Sequence, residues 1–130
     1  MKLFALLILT YSIMLGAENW KFVKDLNESK YFANADIAVI QLGSERVAQI
    51  QSKVVSPRGG ISLSSHYWRK RQNHWEASMK TTDLYRGDGS LRSHQIIEDS
   101  KLSWVIAEVP TDDAWVAILN HAAALLQGPK

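Results

Sequence analysis

The chain has 130 residues, carries 15 Lys and Arg against 13 Asp and Glu for a formal net charge of +2, and contains no cysteine. That length fits one domain with one core, and the near-balanced charge excludes a strong electrostatic footprint for nucleic acid or an anionic membrane. No disulfide and no lipid-modified N-terminal cysteine can form, so stability must come from apolar burial, for which five Trp, four Tyr and three Phe supply the area.

Residues 1–17 place Lys2 ahead of an apolar stretch that runs to Leu15, and small Gly16 and Ala17 then precede Glu18. This is the layout of a secretory signal peptide. The apolar stretch is shorter than the roughly 20 residues that span a bilayer as a helix, so no transmembrane segment is expected once the leader is removed. The expected organisation is a leader over 1–17 and a single domain over 18–130, exported to the periplasm or secreted to the cell surface. Small secreted eukaryotic domains are often disulfide-dense, so a cysteine-free exported domain points to a bacterial source. In a eukaryotic host Asn27-Glu28-Ser29 would be a glycosylation acceptor.

Between Trp20 and Tyr31 the sequence is mixed and polar, with no clear period. Residues 35–42 form a compact apolar run with Ile37, Val39 and Ile40, stopped by Gly43-Ser44. Over 46–54, Ala48, Ile50 and Val54 alternate with Gln49, Gln51 and Lys53, the period-two mark of a half-buried strand. The two runs predict a hairpin through Gly43-Ser44-Glu45. Ser56-Pro57-Arg58-Gly59-Gly60 reads as a turn, followed by a strand over 61–68. Residues 75–82 give the clearest strand: Trp75, Ala77, Met79 and Thr81 alternate with Glu76, Ser78, Lys80 and Thr82, one face dry and the other wet. Gly87-Asp88-Gly89 is the next break, then a weaker strand over 91–97 and a stronger one over 102–109.

The period changes after Pro110. Thr111 is placed to cap a helix, and Asp112 and Asp113 sit where the helix dipole favours negative charge. Trp115, Ile118, Leu119, Ala122 and Leu126 then recur at helical spacing on one side, and Gly128-Pro129 ends the helix. Consecutive strands followed by one amphipathic helix predict an α+β fold, an antiparallel sheet of about five or six strands with the C-terminal helix packed on one face.

Two constellations are candidates for binding. Arg86-Gly87-Asp88 can, in an exported protein, enter an integrin cleft, the guanidinium meeting an acidic pocket and the carboxylate completing a bound metal's coordination; the same residues also make an ordinary Asp-Gly hairpin turn. Trp68, Arg69, Lys70, Arg71 and His74 form a basic, aromatic patch that can hold single-stranded nucleic acid, a sulfated glycan or an anionic membrane. The competing reading of that patch puts Trp68 and Trp75 in the core and leaves residues 69–73 as a solvated turn.

His66, His74, His94 and His121 lack zinc-site spacing, and no third ligand accompanies the pair His66 and His74 across a hairpin. Glu76 beside Trp75 is a candidate for a raised pKa, or else faces water. The chain has no His-Glu-x-x-His, no Gly-x-Ser-x-Gly, no phosphate-cradling glycine loop and no cysteine nucleophile. No metal and no cofactor are expected, and the chain is read as a non-enzyme.

The chain places Trp20 shortly after the leader, a hairpin through Tyr31 and Arg46, the Trp75-Glu76 strand, Tyr85 ahead of a glycine-containing turn, and Trp104 to Pro110 leading into a helix with Trp115. This string of landmarks resembles the surface-adhesin protein E family of Gram-negative bacteria. Members of that family commonly carry cysteines as a lipid anchor or a helix tether, and neither feature carries over here. The resemblance implies an exported, non-enzymatic binding protein that contacts host extracellular-matrix or cell-surface proteins such as laminin or vitronectin. The alternative is a periplasmic accessory protein that binds a small ligand or an envelope component. A small exported hydrolase is a third reading.

Overall fold

Eight strands and one helix follow in chain order in a computed structural model that describes residues 19–108 and 111–128. They are β1 (Trp20–Leu26), β2 (Ser29–Asn34), β3 (Ala38–Leu42), β4 (Glu45–Val55), β5 (Ile61–Lys70), β6 (Trp75–Tyr85), β7 (Leu91–Ile96), β8 (Val105–Ala107) and α1 (Asp113–Leu126). The expected leader over 1–17, Pro110 and Pro129 lie outside the described residues. Among the described residues no helix is long and apolar enough to cross a membrane.

All pairings are antiparallel, in the order β1-β2-β4-β5-β6-β7, with β3 beside β4 and β8 beside β6. The two long strands each hold two partners along one side. β4 pairs β3 through residues 45–49 and β2 through 52–55. β6 pairs β8 through 75–77 and β7 through 81–85. The sheet curls into a half-barrel with the helix on one face.

The strand count therefore exceeds the expected five or six. The polar stretch after Trp20 is a hairpin, turned by Asn27 and Glu28 in left-handed backbone (φ 52° and 68°), the paired positive φ of a two-residue type I′ turn. Glutamate stands where that turn favours glycine, and a bulge at Val23 breaks the alternation of β1, so neither signal was visible. Of the expected strand over 102–109, residues 105–107 form β8 and residue 109 lies outside the described residues; the 3₁₀ turn of 99–101 lies on the path from one partner of β6 to the next.

The core lies between sheet and helix. Ala33, Ala48, Ile50, Trp68, Trp75 and Ala77 meet Ile118, Leu119 and Ala122, with Val23, Ala107, Trp115 and Leu126 packed around them. The alanines let the helix approach the sheet, and the indoles fill the remaining depth. Trp68 is central, edge-on to Trp75 at 6.2 Å and tilted against Trp115 at 5.5 Å. The N-cap is Asp112 rather than Thr111, with no side-chain cap bond. At the other end α1 has no basic residue in its last turn; Arg46 of β4 supplies the charge, donating to the Leu125 carbonyl at 3.2 Å where the helix dipole favours a cation.

Candidate functional site

Register assigns the side chains of the candidate residues to faces. Trp68 pairs with Ala48 and Ala77, so it points under the helix and is buried. Arg69 pairs with Glu76 and Glu76 with Ile106, which puts them on the opposite face. There the Arg69 guanidinium donates to Glu76 Oε1 at 2.6 Å, lies 3.7 Å from Glu45, and stacks 4.0 Å over the Trp104 ring. Arg71 pairs with Glu45 and stands 3.7 Å from Glu76; His74 Nε2 lies 3.3 Å from the second Glu76 oxygen. Lys70 is exposed on the helix side, its ammonium 5.2 Å from the Trp75 ring centre.

The basic patch is thus divided among three environments. Trp68 belongs to the core, Arg69, Arg71 and His74 belong to a charge network closed by Glu45 and Glu76, and Lys70 stands apart. The network leaves Arg69 and Arg71 partly neutralised, so of the three adjacent cations only Lys70 has no carboxylate partner among the described residues. Residues 69–73 are also not a solvated tip throughout: Arg69 and Lys70 complete β5, Arg69 and Arg71 are only half-exposed, and Gln72 and Asn73 form the exposed turn, closed by the Arg71 amide donating to the His74 carbonyl. Glu45 and Trp104 lie 24 and 35 positions from Arg69 along the chain, and no local pattern joins them to it.

Glu76 neither faces open water nor has a raised pKa. Its hydrogen bond from Arg69, and then that from His74, hold its carboxyl below the usual carboxylate range. A depressed folded pKa contributes stability that is complete above the unfolded value, near pH 4.3, and is lost as pH falls through the folded value. Glu76→Gln is therefore expected to flatten the acid limb of a stability-versus-pH curve below about pH 4.5; an acid limb identical to that of the parent chain would refute the network's role.

The expected dry and wet faces of β6 hold only in part. Trp75, Ala77 and Met79 share the helix face, but a bulge at Lys80 turns Thr81 to the opposite face, its hydroxyl 2.7 Å from that of Ser65. Ser78 on that face is buried, its hydroxyl accepting the Ser103 amide at 2.9 Å. His66 and His74 do not meet: His66 pairs with Met79, and burial lowers its pKa. His94 bonds Asp83 across β6 and β7.

Arg86-Gly87-Asp88 occupies the turn between β6 and β7. Asp88 Oδ1 accepts both the Ser90 amide at 2.9 Å and the Ser90 hydroxyl at 2.6 Å, and the Ser90 hydroxyl is the main cause of its lowered pKa. Arg86 donates to the Leu91 carbonyl at 3.2 Å. Gly87 rests against the neighbouring turn of residues 56–60, where an added Cβ would stand 2.7 Å from the Arg58 carbonyl oxygen. The three residues are brought together, with the carboxylate turned into its own loop.

Two surface features were not anticipated from sequence. Strands β7 and β8 lie end to end along the same side of β6, with no strand beyond them among the described residues. That edge exposes Leu91 (51%), Ile96 (58%), Val105 (59%) and Ile106 (69%), an unusual load of large apolar side chains for an unpaired edge. At the other end of the sheet an apolar cleft of about 370 Å³ opens between β1 and α1, bounded by Phe22, Ala35, Ala117 and Ile118 with Lys21 and His121 on its walls.

No family model, curated protein or solved structure matches the chain.

Proposed function

We propose that the chain is an exported, non-enzymatic binding domain of the surface-adhesin protein E type, which contacts a host extracellular-matrix or cell-surface protein. The observation that supports this reading is the β7–β8 edge. Unsatisfied strand amides and carbonyls beside four exposed large aliphatics form a template for another protein chain, which supplies the missing backbone partners while its side chains cover the apolar ones. Proteins that have no use for such an edge shield it with charge, proline or a covering element.

Ile96 and Ile106 share the face opposite the helix, through their partners Thr81 and Glu76. The double variant Ile96→Lys with Ile106→Lys is expected to fold with stability within about 0.5 kcal/mol of the parent, since both side chains are exposed. It is expected to lose most attachment to immobilised laminin or vitronectin. Protease treatment of intact bacteria supplies the second arm: the domain is expected to be cleaved from the outside. Full protection from shaving, or undiminished attachment by the double variant, would overturn the reading.

The cleft beside α1 favours the second reading, a periplasmic protein that holds a small ligand. Its apolar walls with one lysine and one histidine suit an amphiphile with an anionic end. Protection from shaving, combined with saturable binding of a fluorescent fatty acid by the purified chain, would select it.

A further inference from the structure

A second cleft, of about 320 Å³, lies where the turn of residues 56–60 meets the turn of residues 86–90. The two backbones are in contact: a Cβ at Gly87 would stand 2.7 Å from the Arg58 carbonyl oxygen, one at Gly60 3.3 Å from the Tyr85 carbonyl oxygen, and Gly59 lies against Gly87. Packed glycines hold the turns together, and the arginines beside them project around the space between. Arg58 comes from the first turn, Arg86 from the second, and Arg92 from β7; all three line the cleft and all three are exposed.

No Asp or Glu lines this cleft, and none of the three guanidinium groups forms an ion pair among the described residues. Elsewhere the arrangement differs: Arg69, Arg71 and Lys80 each have a carboxylate partner. Asp88 is the nearby acid, with its charge close enough to Arg86 to register in its pKa, and its Oδ1 is committed to Ser90. One carboxylate cannot balance three guanidinium groups. In a chain whose total charge is only +2, the imbalance is local.

Planar guanidinium forks match sulfate and phosphate oxygens in bidentate fashion. Several forks from separate loops suit repeated anionic groups on one ligand better than a single ion. The same walls carry hydroxyls from Ser56, Ser62 and Tyr85, donors and acceptors suited to sugar hydroxyls. We infer that the cleft formed by Arg58, Arg86 and Arg92 binds a sulfated polysaccharide of the glycosaminoglycan class. This goes beyond the protein-contact reading and does not depend on it: Arg92 lies on β7, but the cleft uses guanidinium groups where the edge uses Ile96, Ile106 and strand backbone.

The test uses heparin oligosaccharides, with desulfated heparin, single-stranded DNA and phosphatidylglycerol vesicles as comparison ligands. The parent chain is expected to bind heparin near 0.15 M salt and to lose at least about tenfold affinity on desulfation. Arg58→Ala with Arg92→Ala is expected to weaken heparin binding by about tenfold or more and to reduce the slope of log affinity against log salt by about two. Lys70→Ala, which removes an exposed cation outside the cleft, is expected to change neither. The inference is overturned by absence of heparin binding, by equal loss in the Lys70 variant, or by DNA or vesicles binding as tightly with the same arginine dependence. Ile96→Lys with Ile106→Lys is expected to retain heparin binding, so failure of the edge reading and failure of this one are separately visible.

Discussion

Trp68→Ala is expected to remove about 3–5 kcal/mol of folding stability, the usual cost of deleting a large aromatic from a core. Domains of this size commonly have about 5–15 kcal/mol in total, and this one has no disulfide to restrict its unfolded chain. Trp68 touches both Trp75 of β6 and Trp115 of α1, so its removal opens a cavity at the joint between sheet and helix. Urea unfolding followed by circular dichroism gives the number. A loss under about 1 kcal/mol would mean that the indole cluster does not hold the helix to the sheet.

Trp68→Phe separates volume from polarity. The Trp68 indole nitrogen is buried without a hydrogen-bond partner among the described residues, a defect worth about 1–3 kcal/mol. Phenylalanine removes that donor together with part of the ring area, and the two effects oppose each other. The phenylalanine variant is expected within about 1 kcal/mol of the parent, far from the alanine variant.

Gly87→Ala is expected to cost about 1–3 kcal/mol, the range for forcing an extra methyl group into an occupied space. The obstacle is backbone: the added carbon would lie 2.7 Å from the Arg58 carbonyl oxygen, and a carbonyl cannot swing away as a side-chain tip can. Gly89→Ala is the matched comparison. Nothing lies within 4 Å of its added carbon, and its φ of +89° makes strain its sole cost, about 1–2 kcal/mol. Thermal denaturation measures both costs, and heparin affinity separates the two variants: alanine at 87 pushes the turns apart and weakens binding, whereas alanine at 89 leaves the cleft intact. An unchanged melting temperature for Gly87→Ala would refute the stacking of the two turns.

The glycine in the Arg86-Gly87-Asp88 triplet therefore has a packing reason. The triplet is conspicuous in sequence because of a resemblance in spelling, while its neighbour Arg58 is 28 positions upstream and belongs to a turn with no such spelling. Their meeting depends on β5 and β6 having the register that places Ile61 opposite Tyr85. The pairing of Arg69 with Glu76 has a similar origin with a nearer signal: the two are seven residues apart on a hairpin, and a two-residue turn at Gln72-Asn73 would have placed them opposite each other.

Local periodicity alone determined that this chain would form an antiparallel sheet closed by a C-terminal helix, and that Ala48, Ile50, Ala77 and the helix face of Ile118, Leu119 and Ala122 would lie between them. Alternation and helical spacing are properties of neighbouring residues, so burial can be read from them. Tertiary structure alone decided that Glu45 and Trp104 would enclose Arg69, that arginines from two turns and from β7 would surround one cleft, and that β7 and β8 would leave an apolar edge open. Those juxtapositions depend on strand order and register, which are set by how the whole sheet closes rather than by any short stretch of chain.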